Sequence, residues 1–243
     1  MNIAFYTGAS GLGAFQESIN LIGNNLANSN TAGYKPVQAD FENLLYTRMY
    51  VNSDERPLEG TGVRVRGGNL IMEQGSMRQT ERELDFAIAG EGFFGVERGG
   101  AVSYTRDGEF AMSAVGNDYY LTTVDGAFVL DQQGQRIQLP MDDNNKPSTE
   151  NLKDRLGVFQ FANPEALQPV TSNRYAPTEQ SGAPQVATDQ ESHKILTQTI
   201  ELSRVSVADE MSDIIIAQRG FQFSARVVQV SDEVEDIVNN LRK

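Results

Sequence analysis

The segment SVADEMSDIIIAQRGFQFSARVVQVSDEVEDIVNNL, residues 206–241, decides the fold of this chain. Ser206, followed three residues later by Asp209, reads as a capping box and predicts that a helix begins there. The segment contains no proline, so the helix can continue to residue 241 and reach about 54 Å at 1.5 Å per residue. It carries two apolar heptad stripes: Val207, Met211, Ile214, Gln218, Phe221, Ala225 and Val228; then Ile216, Gly220, Phe223, Val227, Val230, Val234, Ile237 and Leu241.

A shorter helix is predicted from residue 4 to residue 28. It carries one apolar stripe with spacings of three and four, formed by Leu12, Phe15, Ile19, Ile22 and Leu26. Glycines in its first half each cost about 1 kcal/mol relative to alanine, which predicts a pliable beginning. The residues after this helix favour turns, and we expect the turn that follows it to be shaped by Asn28, Thr31, Gly33 and Tyr34.

Two stripes on the long helix require cover from more than one side. The shorter helix can cover at most one of them. The middle of the same chain could pack on the other stripe, which would make the long helix an ordinary core element. The middle is predicted to be a separate β unit, however, so the pattern favours self-association or a partner helix.

The middle of the chain is predicted to be a mostly antiparallel β domain over residues 60–140. All eight prolines fall between Pro36 and Pro184, which disfavours long helices there. Asp107-Gly108 and Asp125-Gly126 lie between strand-like runs and predict type I′ hairpins, and Gln133-Gly134 predicts a further turn. Residues 141–155 are expected to form an exposed loop, residues 156–161 a short strand, and residues 163–188 a loop-rich stretch.

Composition excludes several kinds of chemistry. The chain has 243 residues, a formal charge of −13, no cysteine and one histidine, His193. Thiolate metal sites, disulfides and cysteine nucleophiles are therefore impossible, and one histidine cannot form a histidine metal cluster. The acidity argues against nucleic-acid binding and against adhesion to anionic lipid. Neither a membrane span nor a secretory signal is recognisable, so we expect a cytosolic protein or one exported by a different route.

The candidate catalytic motifs are weak, and we predict no catalytic, cofactor-binding or metal-binding residue. Residues 8–13 lack the upstream strand and the lysine of a phosphate loop. Residues 142–146 lack the glycine and the closing glutamate of a calcium loop. Acidic pairs suited to glycosidase chemistry arise by chance among 33 acidic residues.

Motifs along nearly the whole chain resemble one family, the axial proteins of the bacterial flagellum, specifically the rod and hook proteins of the basal body. The motifs are NNLANSNTAGYK at 24–35, LDFAI at 84–88, GEGFF at 90–94, YTRDGEF at 104–110, FANP at 161–164, SG at 181–182, EM at 210–211 and AQRGF at 217–221. The sequence departs from the family at Ser203-Arg204-Val205 and at Gly220, and it fits poorly around residues 111–118. Overall similarity favours the distal rod proteins over the proximal ones.

The resemblance implies an α+β fold, in which the terminal helices pair as an antiparallel coiled coil and a β domain lies between them in sequence. It implies a structural rod subunit, not an enzyme, that assembles helically into the drive shaft transmitting torque to the hook. Expected partners are further copies, other rod proteins, the hook protein, ring proteins and the flagellar export apparatus. The expected location is the basal body in the cell envelope, reached without a cleaved signal peptide. The alternative is a soluble homo-oligomeric binding module, a β domain on a helical stalk.

The predicted domain bounds are 1–35 and 191–243 for the two halves of a helical core, 36–83 for an extended connection and 84–190 for the β-rich domain. The predicted assembly interface combines the shorter helix with both stripes of the long one: Leu12, Phe15, Ile19, Ile22, Leu26, Met211, Ile214, Phe221, Phe223, Val227, Val230, Val234, Ile237 and Leu241.

Overall fold

A computed structural model describes residues 3–48, 58–116, 118–140, 148–149, 151–171, 173–187 and 193–241, the side chains of residues 47–48 and 58–59 excepted. In chain order the elements are α1 (Ile3–Ala27), β1 (Val37–Asn43), β2 (Tyr46–Arg48), β3 (Leu58–Gly60), β4 (Val63–Leu70), β5 (Met77–Gln79), β6 (Phe86–Gly90), β7 (Phe93–Arg98), β8 (Ala101–Thr105), β9 (Phe110–Val115), β10 (Asp118–Thr123), β11 (Phe128–Val129), β12 (Gln138–Leu139), α2 (Leu152–Arg155), β13 (Val158–Gln160), a 3₁₀ turn (Pro164–Ala166), β14 (Gln168–Val170), β15 (Arg174–Ala176), β16 (Gln185–Val186), β17 (His193–Thr197), β18 (Thr199–Glu201) and α3 (Val207–Leu241).

The chain divides into two compact units. The helical unit comprises Met1–Ala27, Val37–Asn69 and Ser206–Lys243, and the β unit comprises Asn28–Pro36 and Leu70–Val205. Paired terminal helices with a mostly antiparallel β middle confirm the α+β prediction. That the predicted domain bounds mark segments able to fold on their own remains a prediction.

In the helical unit, α1 and α3 run antiparallel and approach each other through small residues. Gly8, Gly11, Ala14 and Ser18 of α1 are buried. A β-carbon added to Gly11 would lie 2.8 Å from Ser224 Oγ, and one added to Gly220 would lie 2.4 Å from the ring of Phe15. The two backbones therefore come close enough that larger side chains would not fit at these points.

A two-stranded ribbon, β1 with β4, lies against α1 in the same unit. The rings of Phe41 and Phe15 are 5.6 Å apart, and the Val63 N–H donates to Ser10 Oγ at 3.2 Å. Strands β2 and β3 pair antiparallel. The sequence predicted an extended connection here, and in β4 Val63 and Val65 alternate with Arg64 and Arg66.

The β unit is built around β7, which pairs with β8 on one edge and with β11 and β13 on the other. The main sheet has the order β12-β10-β11-β7-β8-β15-β14, while β9 joins β10 and β16 joins β13. Two short pairs, β6 with β17 and β5 with β18, complete the unit. Its core contains Phe86, Ile88, Phe94, Val96, Phe110, Leu121, Ala127, Val129, Ile137, Leu139, Leu152, Leu156, Val158 and Ile195.

Of the two predicted Asp-Gly hairpins, one is confirmed and one is wrong. Asp125-Gly126 joins the antiparallel strands β10 and β11 as predicted, but the predicted type I′ turn is wrong. In the loop 124–126, which the Thr123 N–H to Ala127 O bond encloses, only the glycine has positive φ, +83°. Asp107-Gly108 joins β8 to β9, which do not pair with each other. Gly108 instead passes so close to β6 that an added β-carbon would lie 1.6 Å from Phe86 O.

Two other predictions for the β unit need correction. The expected loop over residues 141–155 ends in α2, because Leu152 is buried in the core, whereas residues 141–147 and 150 lie outside the described residues. The stretch 163–188, expected to be rich in loops, contains the β14–β15 hairpin.

Both helices were predicted to within one residue at each end, and the turn at Gln133-Gly134 is confirmed by Gly134 N–H donating to Asp131 O at 3.1 Å.

We expect Gly108→Ala to lower the free energy of unfolding by about 2–4 kcal/mol, because the new methyl group would overlap the backbone of β6. Gly116→Ala is the control: its φ is +67° but its surroundings are open, so only backbone strain of about 1 kcal/mol is expected. Urea unfolding of both variants measures the difference. Equal losses would show that close approach to β6 does not constrain position 108.

Candidate functional site

The apolar stripe of α1 is only partly covered in the single chain. Ile22 is buried, whereas Leu12, Phe15, Ile19 and Leu26 are half-buried. On the first stripe of α3, Ile214 and Phe221 are also half-buried, and Met211 is exposed. These residues lie at or beside the α1–α3 contact, whose centre is occupied by the smaller side chains.

The second stripe of α3 is exposed. The side chains range from 44% exposed for Val227 to 82% for Leu241. The predicted members in this state are Ile216, Phe223, Val227, Val230, Val234, Ile237 and Leu241, and Ile215 and Val238 lie exposed beside them. We call these nine residues the exposed α3 stripe. Scattered apolar residues on a surface are ordinary, but a continuous apolar face along one helix is typical of an interaction surface.

The small residues that bring α1 against α3 were missed as contact residues by the sequence analysis. Gly8 and Gly11 were treated only as helix-weakening positions, yet both are buried against α3. The signal was present, because Gly8, Gly11, Ala14 and Ser18 recur every three or four residues, as residues on one helix face do. A search restricted to large apolar residues cannot detect such a face.

The chain turns directly after α1, in residues that belong to the β unit. Thr31 N–H donates to Asn28 O at 3.1 Å, and Tyr34 N–H donates to Thr31 O at 3.3 Å. Gly33 has φ +64°, and an added β-carbon there would lie 2.5 Å from the carbonyl carbon of Arg106. A residue with a side chain would meet both a strained backbone and a collision, so glycine is required at this position.

A buried charge cluster lies next to this turn and was also missed. Lys35 Nζ is 2.6 Å from Glu201 Oε1 and donates to Glu73 O at 2.5 Å. Arg106 Nη1 is 3.4 Å from Glu201 Oε2. The side chains of Lys35 and Glu201 are 1% and 0% exposed, so both charges are shielded from water. Lys35 and Arg106 fall in motifs quoted for the resemblance, but nothing in the sequence paired them with Glu201.

Electrostatics within the cluster are set by burial and by the carboxylate. Burial lowers the pKa of Lys35 and of Arg106, and the charge of Glu201 opposes both shifts. Gly75 N–H also donates to Glu201 Oε1, at 2.8 Å. A buried ion pair is maintained only when each charge has such partners. The cluster therefore ties residues near 35, 75, 106 and 201 into one arrangement within the β unit.

Asp107 follows Arg106 of this cluster in sequence, and the pKa of its carboxyl group is raised. Burial raises its pKa to about 6, with further increases from Glu109 and Asp85, while the backbone N–H of Glu109 opposes the shift. That N–H donates to Asp107 Oδ1 at 3.0 Å. The folded β unit thus binds a proton at this carboxyl group more readily than the unfolded chain does.

No group of three or more histidine, aspartate or glutamate side chains among the described residues is arranged to hold a metal ion. Likewise, the described helices do not combine the length and the hydrophobicity needed to cross a bilayer. The surface best suited to function in the described parts of the chain is the exposed α3 stripe.

Comparisons with known protein families match three parts of the chain. Residues 5–35 match the model described as "Flagella basal body rod protein", and residues 87–153 match "Flagellar hook protein FlgE/F/G D1 domain". Residues 196–241 match "Flagellar basal body rod FlgEFG protein C-terminal". The matches follow the order of the two terminal helices and the β unit.

Curated relatives align over nearly the full length. Flagellar basal-body rod protein FlgG of Bacillus subtilis (strain 168) is 30% identical over 99% of this chain and 99% of its own. FlgG of Agrobacterium fabrum (strain C58) is 33% identical over 95% and 96%, respectively. Flagellar hook-basal body complex protein FlhP of B. subtilis is 27% identical over 97% and 98%.

Paired terminal helices, a β unit formed by the middle of the chain, and these matches define the class of the protein: it is a structural axial protein. The chain belongs to the flagellar basal-body rod protein family. Its function is that of a structural subunit of the basal-body rod, as the resemblance implied.

Replacing Glu201 by glutamine should lower the free energy of unfolding by about 3–5 kcal/mol, because two buried cations lose their counter-charge. Glu73→Gln is the matched control, since Glu73 pairs with Arg204 at 2.7 Å but its side chain is 66% exposed; that loss should stay below about 1 kcal/mol. Urea unfolding at neutral pH compares the two variants. Similar losses would contradict an energetic role for the buried cluster.

Replacing Asp107 by asparagine should stabilise the protein more at pH 7.5 than at pH 4. An acid whose pKa is raised on folding loses stability as pH rises from its unfolded value through the folded value near 6. Asparagine is neutral throughout and keeps the acceptor oxygen, so its relative stability should increase by about 1 kcal/mol over this range, allowing for the partial exposure of the carboxyl group. Thermal unfolding at both pH values, with Asp118→Asn as an exposed control, measures this. A pH-independent difference would contradict it.

Proposed function

We propose that this rod subunit assembles helically by burying the exposed α3 stripe against neighbouring copies. The observation that carries the proposal is the stripe itself, nine exposed apolar side chains from Ile215 to Leu241. Each valine, isoleucine or phenylalanine that becomes fully buried contributes about 1.5–3 kcal/mol. Burial of the exposed α3 stripe against neighbouring copies would therefore give a large driving force for association.

The form of the contact favours an open-ended assembly. Small residues occupy the α1–α3 contact, so most bulky apolar residues of α3 lie outside it. If the stripe of one subunit packs on a different surface of the next subunit, the contact between them is heterologous. Repeating a heterologous contact generates a helical filament unless the rotation closes into a ring. The same residues in a self-complementary contact would give a closed oligomer, as in the alternative of a binding module on a helical stalk.

The helical unit is also suited to folding upon assembly. Contacts between glycine, alanine and serine bury little apolar surface, whereas ordering a residue costs about 1–2 kcal/mol of backbone entropy. Helical order therefore gains much of its stability from whatever covers the exposed α3 stripe. This coupling would limit premature polymerisation before the subunit reaches the rod.

In the cell, the proposed role is that of a distal rod subunit in the drive shaft that transmits torque to the hook. The FlgG relatives support this position. The proposed partners are further copies, other rod proteins, the hook protein, ring proteins around the rod and the export apparatus. The proposed location is the periplasmic part of the basal body, reached by export without a cleaved signal peptide. Packing suffices for this role, and no enzymatic activity, cofactor, nucleic-acid partner or membrane insertion is proposed.

Replacing Phe223 by aspartate should abolish rod assembly and leave the β unit folded. Phe223 is 62% exposed, so the single chain tolerates a charge there, but burial of an unpaired carboxylate in an interface is costly. Swimming of a complemented null strain and electron microscopy of its basal bodies measure assembly. Urea unfolding measures the stability of the purified subunit.

Gln229→Asp is the control, because it adds the same charge at an exposed polar position of α3, and normal swimming is expected. Normal rods from the Phe223→Asp strain would refute burial of the stripe. Mass measurement of the wild-type protein separates the alternatives: a fixed oligomer mass would support the binding module, and a monomer that forms open polymers would support the rod.

A further inference from the structure

One buried amide, the side chain of Asn25, joins three elements of the helical unit. Its Nδ2 donates to Val37 O at 3.0 Å, at the start of β1, and its Oδ1 accepts from Val37 N at 3.0 Å. The same Nδ2 donates to Glu210 Oε1 at 2.9 Å, in the first turn of α3. Asn25 is only 3% exposed, so these bonds are made away from water.

The small residues of the α1–α3 contact discriminate poorly between axial alignments. Its α1 face repeats small residues every three or four positions, at Gly8, Gly11, Ala14 and Ser18. If α1 slid by one turn along α3, small residues would again face several of the contact points on α3, although the ring of Phe15 would leave its place over Gly220. Steric fit of knobs into holes, which fixes the alignment of most helix pairs, is therefore limited along this face to few bulky residues, such as Phe15 over Gly220.

The Asn25 bonds, in contrast, exist in one alignment only. A slip of one turn would separate the amide from Glu210, leaving a partly buried carboxylate without its donor. If α1 slipped while β1 kept its position relative to α3, the N–H and the carbonyl of Val37 would also lose the Asn25 side chain as their partner. Unsatisfied buried polar groups are costly, and a single buried asparagine is known to select one alignment of paired helices.

We propose that Asn25 is the register-determining residue of the helical unit, selecting one axial alignment of α1 on α3 and fixing the point from which β1 departs. This role lies within one subunit and goes beyond the proposed assembly, since it holds whatever covers the exposed α3 stripe. For assembly it determines which part of α3 each subunit offers to its neighbours.

The absence of cysteine from the chain allows a direct test by disulfide trapping. A β-carbon on Gly11 would lie 3.5 Å from Ser224 Cβ, within the range for a disulfide, so Gly11→Cys with Ser224→Cys reports the native alignment. Ala14→Cys with Ser224→Cys reports a slip of about one turn. Full-length protein is oxidised with copper phenanthroline, and non-reducing electrophoresis separates intrachain from interchain products.

With Asn25 present, the native pair should form its intrachain disulfide at least about tenfold faster than the shifted pair. In the Asn25→Leu background the two rates should come within about threefold of each other, because leucine packs but does not discriminate between alignments. An unchanged rate ratio in Asn25→Leu would overturn the proposal, as would failure of the native pair to cross-link. Loss of interchain products alone would concern assembly and not register.

Asn25→Asp separates hydrogen bonding from packing, because it is nearly isosteric. At pH 7.5 its carboxylate would repel Glu210 and the nearby Asp209 and Asp213, and the rate ratio should fall as in Asn25→Leu. At pH 4.5 a shared proton can restore the bond to Glu210, and the ratio should recover severalfold. Comparison of two pairs at one pH cancels the pH dependence of thiol oxidation. Recovery in Asn25→Leu, or none in Asn25→Asp, would count against a register role.

Discussion

Close approach of the α1 and α3 backbones is the constraint on which the helical unit depends. Glycine at positions 8 and 11 leaves room for Ser224, Val227 and Val228, and Gly220 leaves room for the ring of Phe15. The volume that a larger side chain would need is unavailable where Gly8 and Gly11 face α3. Most of the bulky residues of α3 lie outside these close points, and nine of them form the exposed α3 stripe.

The β unit depends on a different kind of interaction. Its hydrophobic core is formed along β7, but residues 28–36, which follow α1, contribute little apolar area to that core. Two hydrogen bonds to Glu201 hold them instead. Lys35 Nζ donates to the side-chain atom Oε1, and the Gly33 N–H donates to the backbone O at 2.8 Å. A charge network of this kind adds less net stability than an apolar core, but its directional bonds specify where each segment must lie. The turn motif and the end of β18 are thereby placed side by side.

The sequence predicted the features that depend on local pattern. Heptad spacing and the capping box gave α3, and Asp125-Gly126 gave a hairpin, because such signals lie within a few residues of one another. The features that it missed depend on residues far apart in the chain. Asp107-Gly108 is not a hairpin because Gly108 crosses β6, and Lys35 cannot be paired with Glu201 without the fold. The small-residue face of α1 was visible in sequence, but its meaning required a partner helix at short distance.

The bond between Lys35 and Glu201 joins residues 166 positions apart, and this separation has a kinetic consequence. Closing a flexible loop of that length costs about 4–5 kcal/mol of chain entropy, and contacts of such high order form late in folding. A chain that emerges amino end first from the ribosome holds Lys35 hydrated and unpaired until residue 201 has followed. Completion of the β unit therefore waits for almost the entire polypeptide, and during that interval the unit remains incompletely folded.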